Sequence, residues 1–162
     1  MIISSTLAAR APLVWTRITT MDGVNDELAP WVRMTYPAEF SSLADAEESL
    51  LGRVAFHSWL LAGGVVPFDR HSLRLDVVDE RGEAGGGFVE ESTTLLQSRW
   101  CHQRDVVALD GSSCTVTDRL VVVPRLSFAR PVVARLVPWL FQRRHQRLVQ
   151  RFGESPAPDR SI

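Results

Sequence analysis

Four β-prone segments, at residues 72–78, 88–96, 99–109 and 114–123, follow one another with only short turn-forming stretches between them. Strands joined so closely pair antiparallel, which makes this half of the chain a meander. In the first segment Leu73, Leu75 and Val77 alternate with Arg74 and Asp76, the period of a strand with one buried face. Pro124 ends the series and Pro131 opens a long helix. On that helix Val133, Leu136, Val137, Leu140, Phe141, Leu148 and Phe152 form one apolar stripe. Pro138 is expected to kink it and Gly153 to stop it. A sheet with one apolar face and a helix with one apolar stripe bury each other, so the fold class is α+β, with the helix laid across the sheet.

The first half reads less regularly. Residues 2–9 are a strand, and Pro12 opens a helix carrying Val14, Trp15 and Ile18 on one face, ended by Asp22-Gly23. Residues 24–31 are a further helical turn cut short by Pro30. Within 36–51, Pro37 blocks a long strand while SSLADAEESLL has helical composition behind Ser41 or Ser42 as a cap, so a lid or connecting helix is expected. Residues 53–61 form a strand, separated from the meander by Gly63-Gly64 and Pro67. The expected organisation is one domain over 1–153 and a disordered tail over 154–162.

Composition narrows the function classes. With 162 residues, 45% of them hydrophobic, one core can bury roughly 70% of the unfolded surface without disulfides or metal. Cys101 and Cys114 have neither C-x-x-C spacing nor a histidine pair beside them, so no metal site is expected. A net charge of −1 argues against nucleic acid. The basic residues are all Arg, which reads as a compositional bias. No apolar run approaches membrane-span length, and the N-terminus has no signal-peptide pattern, so a soluble, cytoplasmic protein with reduced thiols is expected. Phosphate-loop, HExxH and nucleophile-elbow patterns are missing.

Particular residues carry a resemblance. Ala11-Pro12 with Val14-Trp15, directly after the first strand, looks like the A-P-x-x-V-W opening of the first helix in the SRPBCC superfamily, one residue shorter here. Phe88, Glu90 and Ser92, then Trp100, His102 and Arg104, then Thr117-Asp118-Arg119 look like the F-x-E-x-S, W-x-H-x-R and T-D-R pattern of one bacterial subgroup. Phe141, Arg144, His145, Arg147 and Leu148 look like its helix end. The chain thus resembles, over nearly its whole length, the helix-grip domains of START proteins, birch-pollen-allergen-like proteins and polyketide cyclases. Residues 36–51 are longer and more helical than in the simplest members. The resemblance implies a curved antiparallel sheet around a long C-terminal helix, enclosing a cavity for a small hydrophobic molecule. Fold-level likeness alone does not fix the activity.

The chemistry depends on register. On segment 99–109 the even positions hold Trp100, His102 and Arg104, and on 114–123 the even, more apolar face includes Asp118. These faces coincide only if the connection near Asp110-Gly111 has odd length or a bulge. That register is preferred because it keeps apolar residues together, and it lets Glu90, His102, Arg104 and Asp118 meet. The cluster reads first as a cross-strand ion network and second as a polar anchor, with His102 as acid or base and Arg104 as an oxyanion site. His57 and His71 are read as satisfied or solvent-facing, and the basic helix end of Arg143, Arg144, His145, Arg147 and Arg151 as a solvated face. Candidate ligand contacts are Glu90, Trp100, His102, Arg104 and Asp118 from the sheet, Val137 and Phe141 from the helix, and Trp59 from the strand edging the cavity. No catalytic residue, metal ligand or cofactor is assigned. The expected function is binding or carriage of a lipid, polyketide or other aromatic molecule, and the alternative is a polyketide cyclase- or aromatase-like enzyme. Either a monomer or a homodimer is compatible with the sequence.

Overall fold

The computed structural model describes residues 1–44 and 48–155. Its elements are β1 (Ile2–Leu7), α1 (Ala11–Thr19), α2 (Met21–Leu28), β2 (Val32–Met34), β3 (Val54–Ala62), β4 (Val66–Glu80), β5 (Gly85–Thr94), β6 (Gln97–Ala108), β7 (Cys114–Pro124) and α3 (Arg130–Phe152). Seven strands form one antiparallel sheet in the order β1-β7-β6-β5-β4-β3-β2. The expected meander is present, and β1 returns beside its last strand. Register shifts in β3–β4, β4–β5 and β6–β7 add the local twist that bends a sheet. No helix among the described residues is long and apolar enough to cross a membrane.

At one end of the sheet α1 and α2 close the core. Val14, Trp15 and Ile18 of α1 are buried against β5 and β6, together with Leu7, Val106, Cys114 and Val116. Gly86 makes this possible, because a Cβ there would stand 2.6 Å from the Trp15 ring. The break between the two helices falls at Thr20, whose hydroxyl accepts the Gly23 N–H at 3.1 Å as an N-cap. Gly23 is therefore inside α2 and not the stop expected from Asp22-Gly23; a Cβ there would collide with the Arg17 carbonyl. Burial holds the Cys114 thiol up at about 11.

Other expectations are corrected. The fourth strand begins at Val66 and carries Pro67 within it, six residues earlier than alternation from Ser72 suggested. After the β4–β5 register shift Val77 faces outward, so the alternation of Leu73, Leu75 and Val77 breaks at that residue. Val32–Met34 adds a short strand that the sequence did not reveal. In the segment expected to be a lid or connecting helix the described residues hold a single 3-10 turn, Glu48–Leu50, and residues 45–47 lie outside the description. Of the expected tail, Glu154 bridges Leu7 and Ser155 N–H reaches Thr6 O at 3.2 Å, so both extend the pairing of β1; residues 156–162 lie outside the described set.

The two halves of α3 differ. Phe141, Arg144, His145 and Leu148 are buried, with the C-terminal half further held by Arg147 to Ala29 O and Arg151 to Asp26. Towards the N-terminus Val132 and Leu136 are exposed, contrary to Leu136's place on the expected buried stripe. Val133 and Val137 there border a cavity on one side and a hollow of about 400 Å³ against Leu120 and Val122 on the other.

Candidate functional site

The sheet, α2 and α3 enclose a cavity of about 550 Å³, within the usual size of a small-molecule pocket. Its apolar wall includes Met21, Leu28, Leu73, Phe88, Trp100 and Leu140. Inward parity puts Asp69, His71 and Leu73 of β4 and Glu90, Ser92 and Thr94 of β5 on the concave face, beside Trp100 and His102 of β6.

The β6–β7 connection decides the deep end. Five residues, 109–113, join the strands, an odd number, and Arg104 lies opposite Asp118, as the preferred register required. The turn is held by Asp110, whose Oδ1 accepts Ser112 N–H at 2.7 Å and Ser113 N–H at 2.8 Å. Those backbone bonds, with the two serine hydroxyls, bring its carboxyl down to about 2.

All four residues expected to meet are buried, and they do meet. Asp118 accepts Arg104 Nε on Oδ1 and Arg104 Nη2 on Oδ2, both at 2.6 Å, with His102 Nε2 at 3.0 Å and His145 Nε2 at 3.1 Å. That fills the lone-pair sites of a carboxylate. Arg104 Nη1 turns to Glu27 at 2.8 and 3.1 Å, and Arg144 Nε meets the same carboxylate at 3.0 Å. Glu90 receives His71 Nε2 at 2.6 Å and faces His102 Nδ1 at 3.6 Å. Three carboxyls, Glu27, Glu90 and Asp118, thus face two guanidiniums and three imidazoles.

Burial alone would raise the acids, yet both lie low. Around Glu90 the opposing factors are the charge of His71 and hydrogen bonds from His102 and His71. Around Asp118 they are the Arg104 charge and its two hydrogen bonds, followed by His102. Arg104 is held above its ordinary value because Asp118 and Glu27 outweigh its burial. Arg144 is lowered by burial and by the Arg104 charge.

The expected site residues divide in three. Glu90, Trp100, His102, Val137 and Phe141 line the cavity. Arg104 and Asp118 lie behind that lining, with no solvent exposure. Since Arg104 already directs all three guanidinium nitrogens to carboxylates, it is a wall support and not an oxyanion site. Trp59 does not line the cavity. Its parity with His57, opposite to buried Phe56 and Ser58, puts it on the outer face, 47% exposed, with Arg70 5.9 Å from its ring centroid.

Four members of the network were missed. Glu27 was hidden in a segment read as a truncated turn, and His71 was placed beside a turn although it shares the parity of Leu73 and Leu75. Arg144 and His145 were assigned to a solvated face, yet they stand three and four residues after Phe141, and Leu148 follows four and three after them, on the buried stripe. A polar residue at a core-parity position was the available signal.

No curated protein matches this sequence. Solved structures match the fold. An aromatase/cyclase, Zhui, from Streptomyces sp. R1128 is 15% identical with a TM-score of 0.63, over 93% of this chain and 91% of that one. A START superfamily protein from Mycobacterium smegmatis is 11% identical with a TM-score of 0.62, over 94% and 95%. Ara h 8.0201 is 9% identical with a TM-score of 0.57, over 93% and 97%. The fold is therefore the SRPBCC-type helix grip. Residues 5–152 match one sequence family, and the chain belongs to it: the family described as Domain of unknown function (DUF8410).

Proposed function

We propose that the protein binds a small hydrophobic molecule, a lipid, polyketide or other aromatic compound, in the cavity between the concave sheet and α3. The supporting observation is the cavity itself: about 550 Å³, walled mainly by apolar side chains, with a few polar groups among them. A cavity walled in this way binds through apolar burial and uses its few polar groups for orientation. The deep cluster serves as a rigid, self-neutralising back wall.

The test is native mass spectrometry of protein from its own host, paired with thermal shift across lipids and aromatics. A retained apolar mass, or a ligand-dependent rise in Tm, is expected; neither in either assay overturns the reading. In His102→Ala the ligand response should fall more than in Arg104→Ala, whose main effect is on stability.

An alternative enzymatic reading, of the cyclase or aromatase type, rests on His71, Glu90 and His102, the linked ionisable groups that face the cavity. Cyclisation of a linear poly-β-ketone, lost in Glu90→Gln, would favour it over carriage.

A further inference from the structure

The two polar ends of the cavity differ in kind. At the deep end each carboxylate already receives donors from Arg or His. The other end lies where the start of β4 meets the turn between β5 and β6. Leu96 N–H there is shared between Asp69 Oδ1 at 3.2 Å and Thr94 Oγ1 at 3.1 Å, and Gln97 N–H reaches Thr94 Oγ1 at 2.8 Å. Asp69, Thr94 and Gln97 all line the cavity.

Asp69 is 3% exposed, yet no Arg or His among the described residues pairs with it. It accepts backbone N–H groups of Arg70 at 2.8 Å and of Leu96, both on Oδ1. The nearby Arg125 directs Nε elsewhere, to Thr94 O at 3.0 Å. Gln97 Oε1 is buried without any partner. The other such atom among the described residues, Trp15 Nε1, belongs to the indole packed on Gly86, away from the cavity. A buried acceptor left unpaired costs about 1–3 kcal/mol, so Gln97 Oε1 calls for a donor from outside the protein, and beside it stands the Asp69 carboxylate, whose two bonds both fall on Oδ1.

We propose that Asp69 and Gln97 form a headgroup subsite for an amphipathic ligand whose polar end donates hydrogen bonds, as a hydroxyl or an ammonium. This rests on the cavity-binding reading and orients the ligand: donor end at the β5–β6 turn, apolar body towards Phe141. Thr94 positions the subsite by fixing the turn. A carboxylate at the same place faces the like charge of Asp69, and an ether has no hydrogen to donate.

Isothermal titration with four C12 probes, 1-dodecanol, dodecylamine, dodecyl methyl ether and dodecanoate, tests this. The alcohol or the amine should bind about tenfold or more tightly than the ether and the acid, a difference of about one well-formed buried hydrogen bond. Asp69→Asn, which keeps Oδ1 as acceptor for Arg70 and Leu96, should remove the advantage of the amine. Gln97→Met should reduce that of the alcohol. Ether affinity should be unchanged in both variants, which also reports that they fold. Equal affinity of all four probes for the unmodified protein, or preferences that survive both substitutions, overturns the subsite while leaving the cavity reading intact. If none of the four binds, the subsite falls, and the cavity reading is decided by the native mass spectrometry and thermal-shift tests above.

Discussion

Arg104 has no contact with solvent and is held between carboxylates from two different elements, Asp118 on β7 and Glu27 on α2. Such a network adds little net stability over an apolar replacement of the whole set, but removing one member strands the others. Arg104→Met should therefore destabilise by about 3–5 kcal/mol in urea unfolding at pH 7, without directly altering the cavity surface. The low Glu90 and Asp118 carboxyls set the acid limit. Their folded values lie below unfolded values of about 4, so the unfolded chain takes up protons first. Their stabilising contribution is complete above pH of about 5 and is lost as pH falls through about 4 towards the folded values. The urea midpoint should drop between pH 6 and pH 3, and Asp118→Asn should flatten that drop on a lower baseline.

The elements show how much was legible. Alternation fixed the faces of β5, β6 and β7 because buried and more exposed side chains take turns over 88–94, 101–107 and 114–121. The same rule misassigned Val77, since a register shift reverses parity without a sequence mark, and it started β4 late because Pro67 is tolerated beside the β3–β4 shift. The cluster was half visible: Glu90, His102, Arg104 and Asp118 followed from strand parity, Arg144 and His145 were marked only by their spacing from Phe141 and Leu148, and Glu27 required tertiary knowledge of which helix faces meet. Trp59 was drawn into the site because its strand edges the cavity, whereas parity opposite to Phe56 and Ser58 places it outside. One contact tests the packing of α1 on the sheet. Gly86 has ordinary backbone geometry, so Gly86→Val should act through collision with Trp15 alone, lowering stability by about 1–3 kcal/mol. A second substitution, Trp15→Leu, should recover part of the loss; no recovery would place the cost elsewhere.

At the scale of the molecule, the dry core beneath α1 adjoins the cavity that α2 and α3 close over the sheet, with Met21, Leu28 and Phe88 belonging to both. The C-terminal half of α3 is tied by Glu27, Asp26, Asp118 and Ser5. Its N-terminal half rests over empty volume on two sides, and Pro138 between them has no N–H for the Ala134 carbonyl. Amide exchange should accordingly be faster at 132–137 than at 144–152, and a bound cavity ligand should slow the first stretch more than the second. In mechanical terms α3 is a cantilever, clamped at its charged end and sprung at its apolar one. Under the binding reading proposed above, a guest passing beneath it would bend only the free arm, so the ease of entry and the strength of the foundation can be altered separately.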